Sequence, residues 1–475
     1  LRGNIDMNAL AQALTRDSTT TLTENGDKTY STSLDACVDL FFKVGAVRGQ
    51  GAGRVTSLFD AAYAQDPDLA SRIMLWARDV RGGAGERQVF RDVLVHLERR
   101  DPTRLARVLP SVPAVGRWDD LFALTSEAGK TAAYAMFAYA LHDGQGLAAK
   151  WAPRESSKNR AFAKGLREFM GLTPRDYRKM VSRLSDTVEQ KMCSRDWSAI
   201  EFSRVPSVAA ARYSNAFLKR QPERYAEFTA AALRGEEKIN AGALFPYDVT
   251  KSSVDRATAD ALWASLPDYV PEGVSFLPVV DVSGSMTSMV GSSGVSCLDV
   301  AVSLGIYLAE RNKSAFEGLG VTFTSVPTLF RVPKTSSIRD RVNYVTGRDW
   351  GMSTDLDAAM QLIVTTAVEN DVPASDVPKF LIVISDMEFD SGCEHGKTSA
   401  SERTKSYFEA AGYDVPGIVW WNVESRGDTT PVRYDESGMV LVSGLSPAVV
   451  KSVLGGDVNP VSAMLKTVMV ERYDH

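Results

Sequence analysis

From Leu34 to about residue 265, apolar residues recur at three- and four-residue spacing, as in Leu34, Val38, Phe41 and Phe42 and again in Ile73, Leu75, Trp76 and Val80. That period marks amphipathic helices. Breakers interrupt it at Gly49–Gly53, Asp66-Pro67, Gly82–Gly85, Asp101-Pro102, Val112-Pro113, Thr173-Pro174 and Gln221-Pro222. Each sits where one helix stops and the next begins. Helices of roughly 10–15 residues divided by such turns predict a HEAT-like helical-repeat module over 34–265, although no fixed repeat period is visible. The preceding residues, 1–33, are rich in Thr, Ser and Asp and read as a polar lead.

At Val274 the texture changes. The run Val274–Val280 is apolar, too short for a helix and bounded by Pro271 and Gly284, which predicts a buried strand. Similar runs at Val321–Thr324, Phe380–Ile384 and Gly417–Trp421 alternate with helical segments at about 296–312, 355–369 and 400–411. Such alternation specifies a parallel α/β sheet. The fold class expected is therefore α plus α/β: a helical module, then a Rossmann-like domain over 266–475, joined near Ala261–Gly273.

Composition narrows the function classes. With 44% hydrophobic, 24% charged and 9% aromatic residues in 475, the chain is an ordinary globular one. No apolar run reaches the roughly 18 residues that cross a bilayer, and Leu1-Arg2-Gly3-Asn4 begins no signal-peptide pattern, so no membrane partner and a cytoplasmic location are expected. Four scattered cysteines, Cys37, Cys193, Cys297 and Cys393, fit buried thiols better than a disulfide framework or a zinc site. Four histidines make a His-rich metalloenzyme improbable.

Charge divides along the same boundary. Residues 1–265 hold 38 Lys/Arg against 32 Asp/Glu, whereas residues 266–475 hold 16 against 27, so the halves carry +6 and −11. Within 150–238 the excess is +8, from 19 basic and 11 acidic residues. A polyanion-facing surface and a solvated helical surface explain that excess about equally well.

The sharpest motif is Asp281-Val282-Ser283-Gly284-Ser285-Met286, directly after the first predicted strand of the α/β half. It offers three oxygens at the carboxyl end of a strand, where open α/β sheets bind ligands. Thr354, just before a helix, and Asp386, at the end of Phe380–Ser385, can supply two more. Oxygen-only ligation with few carboxylates favours Mg²⁺ or Mn²⁺ over zinc. The competing reading is that Ser283 and Ser285 cap the next helix while Asp281 serves loop amides. Capping does not require Thr354 and Asp386 as well.

This pattern resembles the metal-ion-dependent adhesion site of von Willebrand factor A domains, Asp-x-Ser-x-Ser with a distant Thr and a distant Asp. Asp281, Ser283, Ser285, Thr354 and Asp386 match it position by position. The resemblance implies a metal with one position left for water or an acidic group of a protein partner.

Enzyme readings fail on spacing. A haloacid-dehalogenase-type phosphatase needs an Asp where Ser283 stands, and no Gly-x-Ser-x-Gly elbow occurs. The stretch Ser391–Thr398 imitates a phosphate loop but has Ser391 for its first Gly, and Cys393 with His395 inside it reads as incidental. The glycines at 49–53 and 82–85 read as helix terminators rather than phosphate nests. A metal-dependent hydrolase lacks an evident base; Asp355, Asp357 and Glu388 are the candidates. No catalysis is expected.

A helical-repeat half followed by an A-type half resembles the TROVE-module proteins, the Ro autoantigen and its bacterial relatives. That resemblance implies a ring of repeats closed by the A domain and binding of small noncoding or misfolded RNA. A closer resemblance is to a largely uncharacterised plant, fungal and viral family of the same architecture. It is carried by Arg78–Arg87, Gly116–Leu121, Lys150–Arg154, Val188–Met192, Phe202–Ser207, Lys238–Ala241 and Leu244–Pro246. The residues add their own support: Lys150, Trp151, Arg154, Lys158, Arg160 and Lys164 interleave an aromatic with cations, and Arg175, Arg178, Lys179, Arg183, Lys191 and Arg195 continue the series. For any single Trp, including Trp151 and Trp197, a core role competes. The expectation is a monomeric RNA-binding scaffold of a ribonucleoprotein whose metal site recruits a protein. The rival is a metal-dependent protein adaptor that binds no RNA.

Overall fold

The computed structural model describes residues 9–291, 294–334, 337–347, 353–391, 397–424, 427–454 and 458–475. It is α plus α/β, with one six-stranded mixed sheet and many helices. Two compact units divide the chain: residues 1–73 with 268–469, and residues 74–267 with 470–475.

In the first unit a short hairpin, β1 (Thr20–Leu22) and β2 (Lys28–Tyr30), precedes the main sheet. The sheet comprises β3 (Phe276–Asp281), β4 (Leu319–Phe323), β5 (Thr328–Arg331), β6 (Phe380–Ser385), β7 (Gly417–Asn422) and β8 (Met439–Ser443). Its order is β5-β4-β3-β6-β7-β8, parallel except for the antiparallel edge strand β5. Every residue of β3, β6 and β8 is buried. Strands covered on both faces read as continuous apolar runs without alternation, which is why β3 and β6 stand out in the sequence. The expected helices appear as Cys297–Arg311, Leu356–Glu369 and Ala400–Ala410, each capped by the preceding Ser296, Asp355 or Ser399.

The expected boundary at 266 falls two residues before Asp268, where the sheet unit resumes, whereas the one at 33 corresponds to no division between the units. The described residues up to Ile73 group with the sheet, and the reason lies in buried polar groups. Thr23 Oγ1 donates to the Phe389 carbonyl at 2.8 Å, and Thr29 Oγ1 donates to the Thr430 carbonyl at 2.8 Å. Arg403 donates to Asp27 at 2.7 Å through Nη1 and to Asp357 at 2.7 Å through Nε. The helix Ala36–Val44 buries eight of its nine residues against β8, where Ser443 Oγ accepts the Gly45 N–H at 3.0 Å. The polar lead is thus an integral part of this unit, with Thr23, Asp27 and Thr29 all under 8% exposed.

The second unit is helical, as expected. Asp101 ends the helix Arg87–Arg100 and caps the next, Pro102–Val108, by accepting the Arg104 N–H at 2.9 Å. Thr173 caps Pro174–Leu184 in the same way. An aromatic cluster of Phe202, Phe217, Tyr225 and Phe228 fills the core beneath Ser207–Arg220 and Pro222–Leu233. The last six residues belong here too: Arg472 Nη2 donates to Asp79 at 2.8 Å and the Tyr473 hydroxyl donates to Asp79 at 3.1 Å.

Candidate functional site

β3 delivers Asp281 to the carboxyl end of the sheet, and the adjacent β6 delivers Asp386 one residue beyond its last, Ser385. Between these strands the order reverses, since β4 and β5 lie to one side and β7 and β8 to the other. Crevices at such reversals hold ligands in open α/β sheets. Both carboxylates are buried, at 0% and 1% exposure.

The turn after β3 is organised by Asp281 itself. Its Oδ1 accepts the Ser283 N–H at 2.9 Å, and its Oδ2 accepts the Ser385 hydroxyl at 2.6 Å. The same turn brings Ser283 Oγ within 3.0 Å of Ser285 Oγ. On β6, Asp386 Oδ1 accepts the Glu388 N–H at 3.4 Å, and the intervening Met387 takes φ +65°. A methionine in that left-handed region is strained, and it is held by donating its N–H to Ser385 Oγ at 3.0 Å. Thr354, 1% exposed, is fastened to the same loop: its N–H donates to Asp390 Oδ2 at 2.7 Å and its carbonyl accepts the Asp390 N–H at 3.2 Å.

Burial pushes the Asp281 carboxyl up to about 7, and the neighbouring Asp386 charge adds to the rise. Two carboxylates sharing a dry site disfavour their common ionisation. Of the five sequence-predicted ligands, Asp281, Ser283 and Ser285 share one turn, Asp386 lies one strand over, and Thr354 is tied to the Asp386 loop. Ser385 and Asp390, which position them, carry no motif and went unforeseen. Among the described residues no three His, Cys, Asp or Glu side chains group as a metal cluster, so any cation at this turn would need hydroxyl ligands.

Glu388 has a different occupation from the base considered for it. Its Oε2 accepts the Glu24 N–H at 2.7 Å and its Oε1 accepts the Gly427 N–H at 3.0 Å, while burial raises its pKa. Of the phosphate-loop imitation, residues 392–396, including Cys393 and His395, lie outside the described residues. The Gly82–Gly85 run is packing: a Cβ on Gly83 would fall 1.8 Å from the Trp76 carbonyl oxygen.

The structure sorts the candidate cations of the helical unit. Arg175, Arg178, Lys179 and Arg183 lie on Pro174–Leu184 at i, i+3, i+4 and i+8, all exposed, while Tyr177 and Val181 face the core. Arg160 and Lys164 are exposed on Arg160–Phe169, and Lys164 pairs with Glu168 at 3.9 Å. Lys150 and Lys191 line one groove of about 580 Å³ with Asp186, Glu201 and Arg204, and Lys191 pairs with Asp186 at 3.4 Å. Lys158 lines a different one, of about 380 Å³, with Arg91, Asp92 and Asp119. Arg195 is exposed. Arg154 is half-buried and donates to Ser185 Oγ at 3.3 Å. Trp151 is half-buried beneath the Arg117 guanidinium, 5.0 Å from the ring centroid. The twelve predicted residues therefore spread over several surfaces, and one helix presents a continuous basic face.

No helix among the described residues is long and apolar enough to cross a membrane. Residues 275–472 match the profile of a domain of unknown function, DUF7788, and residues 23–124 and 154–267 match a second such domain, DUF2828. The uncharacterized protein L728 of Acanthamoeba polyphaga mimivirus is 28% identical over 502 residues, spanning 93% of this chain and 86% of that protein. Among solved structures, the RO (RSR) protein of Deinococcus radiodurans aligns over 90% of this chain and 93% of that one, at 14% identity and a TM-score of 0.35. So loose a superposition carries no functional argument; the chain is similar throughout to a viral protein and, half by half, to two domain profiles of unassigned function.

Proposed function

We propose that the protein is a non-catalytic RNA-binding scaffold whose helical unit holds small structured or single-stranded RNA. The observation that carries this reading is the unpaired cation face of Pro174–Leu184. Among the described residues, Arg175, Arg178, Lys179 and Arg183 have no carboxylate within ion-pair distance. Neighbouring cations of the same unit do, as in Arg167–Glu155 at 2.8 Å and Arg204–Glu201 at 2.7 Å. Arg175 also occupies the first turn of its helix, where the macrodipole disfavours a cation. The macrodipole accounts for Arg183, in the last turn, but not for Arg175, Arg178 or Lys179, for which a phosphate backbone would be a partner. The test is crosslinking and sequencing of RNA from the native host with wild type and with a triple variant, R175E/R178E/K179E. Equal RNA recovery from both would remove the reading.

A divalent cation, Mg²⁺ or Mn²⁺, forms the second part of the proposal. Asp281, Asp386, Ser283, Ser285 and Thr354 suit a hard ion, because the cation would neutralise two buried carboxylates and accept hydroxyl oxygens. One remaining position would take an acidic side chain of a partner. This carboxylate pair also favours the rival adaptor without RNA, which becomes the reading if no RNA is recovered.

A further inference from the structure

The turn of the β1–β2 hairpin grips the loop that follows β6 at four consecutive residues, 388 to 391. Glu24 donates its N–H to Glu388 Oε2 at 2.7 Å, and Asn25 Nδ2 donates to the Glu388 carbonyl at 2.7 Å. Thr23 Oγ1 donates to the Phe389 carbonyl at 2.8 Å. Gly26 pairs with Asp390 in an isolated antiparallel bridge, and Ser391 donates its N–H to the Asn25 carbonyl at 3.3 Å. The same loop begins at Asp386, whose Oδ1 accepts the Glu388 N–H. A segment at the far end of the sequence therefore holds the backbone beside the carboxylate pair.

Asp390 passes this hold on to Thr354. Its Oδ2 accepts both the Thr354 N–H, at 2.7 Å, and the Ser353 hydroxyl, while its own N–H donates to the Thr354 carbonyl at 3.2 Å. On the other side Thr354 leads into the helix Leu356–Glu369, and its carbonyl also accepts the Leu356 N–H at 3.1 Å. The backbone of Thr354 is thus fixed from two directions. Its hydroxyl is left for another partner, since among the described residues Thr354 Oγ1 makes no hydrogen bond. Asp390 is not itself a third carboxylate ligand, because among the described residues it forms no metal-binding group with Asp281 and Asp386.

We propose that the hairpin turn Thr23–Asp27 and Asp390 form a bracket that positions Thr354 and the Asp386 loop for a divalent cation, so that docking of the hairpin and binding of the ion are coupled. The proposal rests on the cation reading above. Partners that orient the ligands of a metal typically change its affinity by about 10–100-fold. Coupling of this kind is reciprocal: the factor by which the docked hairpin tightens the ion is the factor by which the ion tightens the hairpin. Displacing the hairpin would then release the ion without altering any of its five ligands.

The experiment titrates the full chain with Mn²⁺ and follows the free ion by its electron paramagnetic resonance signal. D390A and T354A should each weaken binding by about tenfold. D390A/T354A should be no weaker than T354A, because Asp390 acts through Thr354, whereas a merely structural role would make the losses add. D390N keeps an oxygen for the Thr354 N–H and should stay near wild type. N25A removes an exposed side chain that holds the Glu388 carbonyl, and it should also weaken binding. Hydrogen exchange read by mass spectrometry gives the reciprocal arm: saturating Mg²⁺ should slow exchange over residues 20–30 in wild type but not in D281N, and should leave the edge strand β5 unchanged. Additive losses in D390A/T354A, D390N as weak as D390A, N25A as tight as wild type, or hairpin exchange indifferent to Mg²⁺ would each overturn the proposal and leave the cation reading standing. A wild type that takes up no Mn²⁺, or D281N that takes it up equally well, removes the cation reading and the proposal with it.

Discussion

Asp281 and Asp386 stand at the ends of adjacent parallel strands, both buried, and the charge of Asp386 helps hold the Asp281 carboxyl near neutrality. The folded state therefore binds a proton at Asp281 that the unfolded chain has already released above 3.8. Where the native state binds more protons, stability falls as pH rises, here from about 4 to about 7. In EDTA, wild type should lose stability across that window relative to D281N. D281N keeps an acceptor for the Ser283 N–H and removes the repulsion, so its midpoint should exceed that of wild type at pH 8 by several degrees. Mg²⁺ should raise the wild-type midpoint and leave D281N unmoved. Parallel pH profiles for the two proteins would count against the carboxylate pair.

Asp27 makes a second buried pair, with Arg403, 376 residues along the chain. Removing Asp27 leaves Arg403 its bond to Asp357 but takes away one of its two carboxylates and the acceptor of the buried Ala400 N–H, at a cost of about 1–3 kcal/mol. D27A should therefore destabilise the full chain strongly in urea unfolding. K28A, which breaks the more exposed Lys28–Glu402 pair, should cost under about 1 kcal/mol. Similar losses for the two would mean that residues 1–33 do not fold into the sheet unit.

That pair also shows what could and could not be read beforehand. β3 and β6 were legible because each is an unbroken apolar run ending at a motif residue. The hairpin β1–β2 was not, because its strands are three residues long and its buried groups are Thr23, Asp27 and Thr29, whose partners Phe389, Arg403 and Thr430 lie over 360 residues away. β5 was missed as a four-residue edge strand with two exposed positions. At β8 the apolar signal resumes beyond Gly444 through Val449–Leu454, so periodicity alone does not separate strand from helix there. The motif serines and aspartates were legible at short range. Ser385 and Asp390 were not, since hydrogen-bond support leaves no spacing signature.

Cysteine chemistry gives an independent check on burial. Burial pushes the Cys37 thiol up to about 12, and the side chain is 0% exposed. Alkylation requires the thiolate, so iodoacetamide at pH 8 should spare Cys37 and the buried Cys297 while labelling the exposed Cys193. Peptide mapping by mass spectrometry reads this directly. Rapid native labelling at Cys37 would show that the helix Ala36–Val44 does not stay packed on β8.

The cation face of Pro174–Leu184 makes a quantitative prediction about salt. Each phosphate neutralised contributes about 0.7–0.9 to the slope of log K against log salt, so losing three contacts lowers that slope by about 2–3. R175E/R178E/K179E should bind RNA far more weakly at low salt, and its deficit relative to wild type should shrink as salt rises. The three side chains are exposed and unpaired, so the fold should be undisturbed and the unfolding midpoint nearly unchanged. Fluorescence anisotropy over a range of sodium chloride concentrations measures both slopes. A variant that binds weakly with the wild-type slope would have lost structure rather than phosphate contacts, and the basic face would then not be the RNA surface.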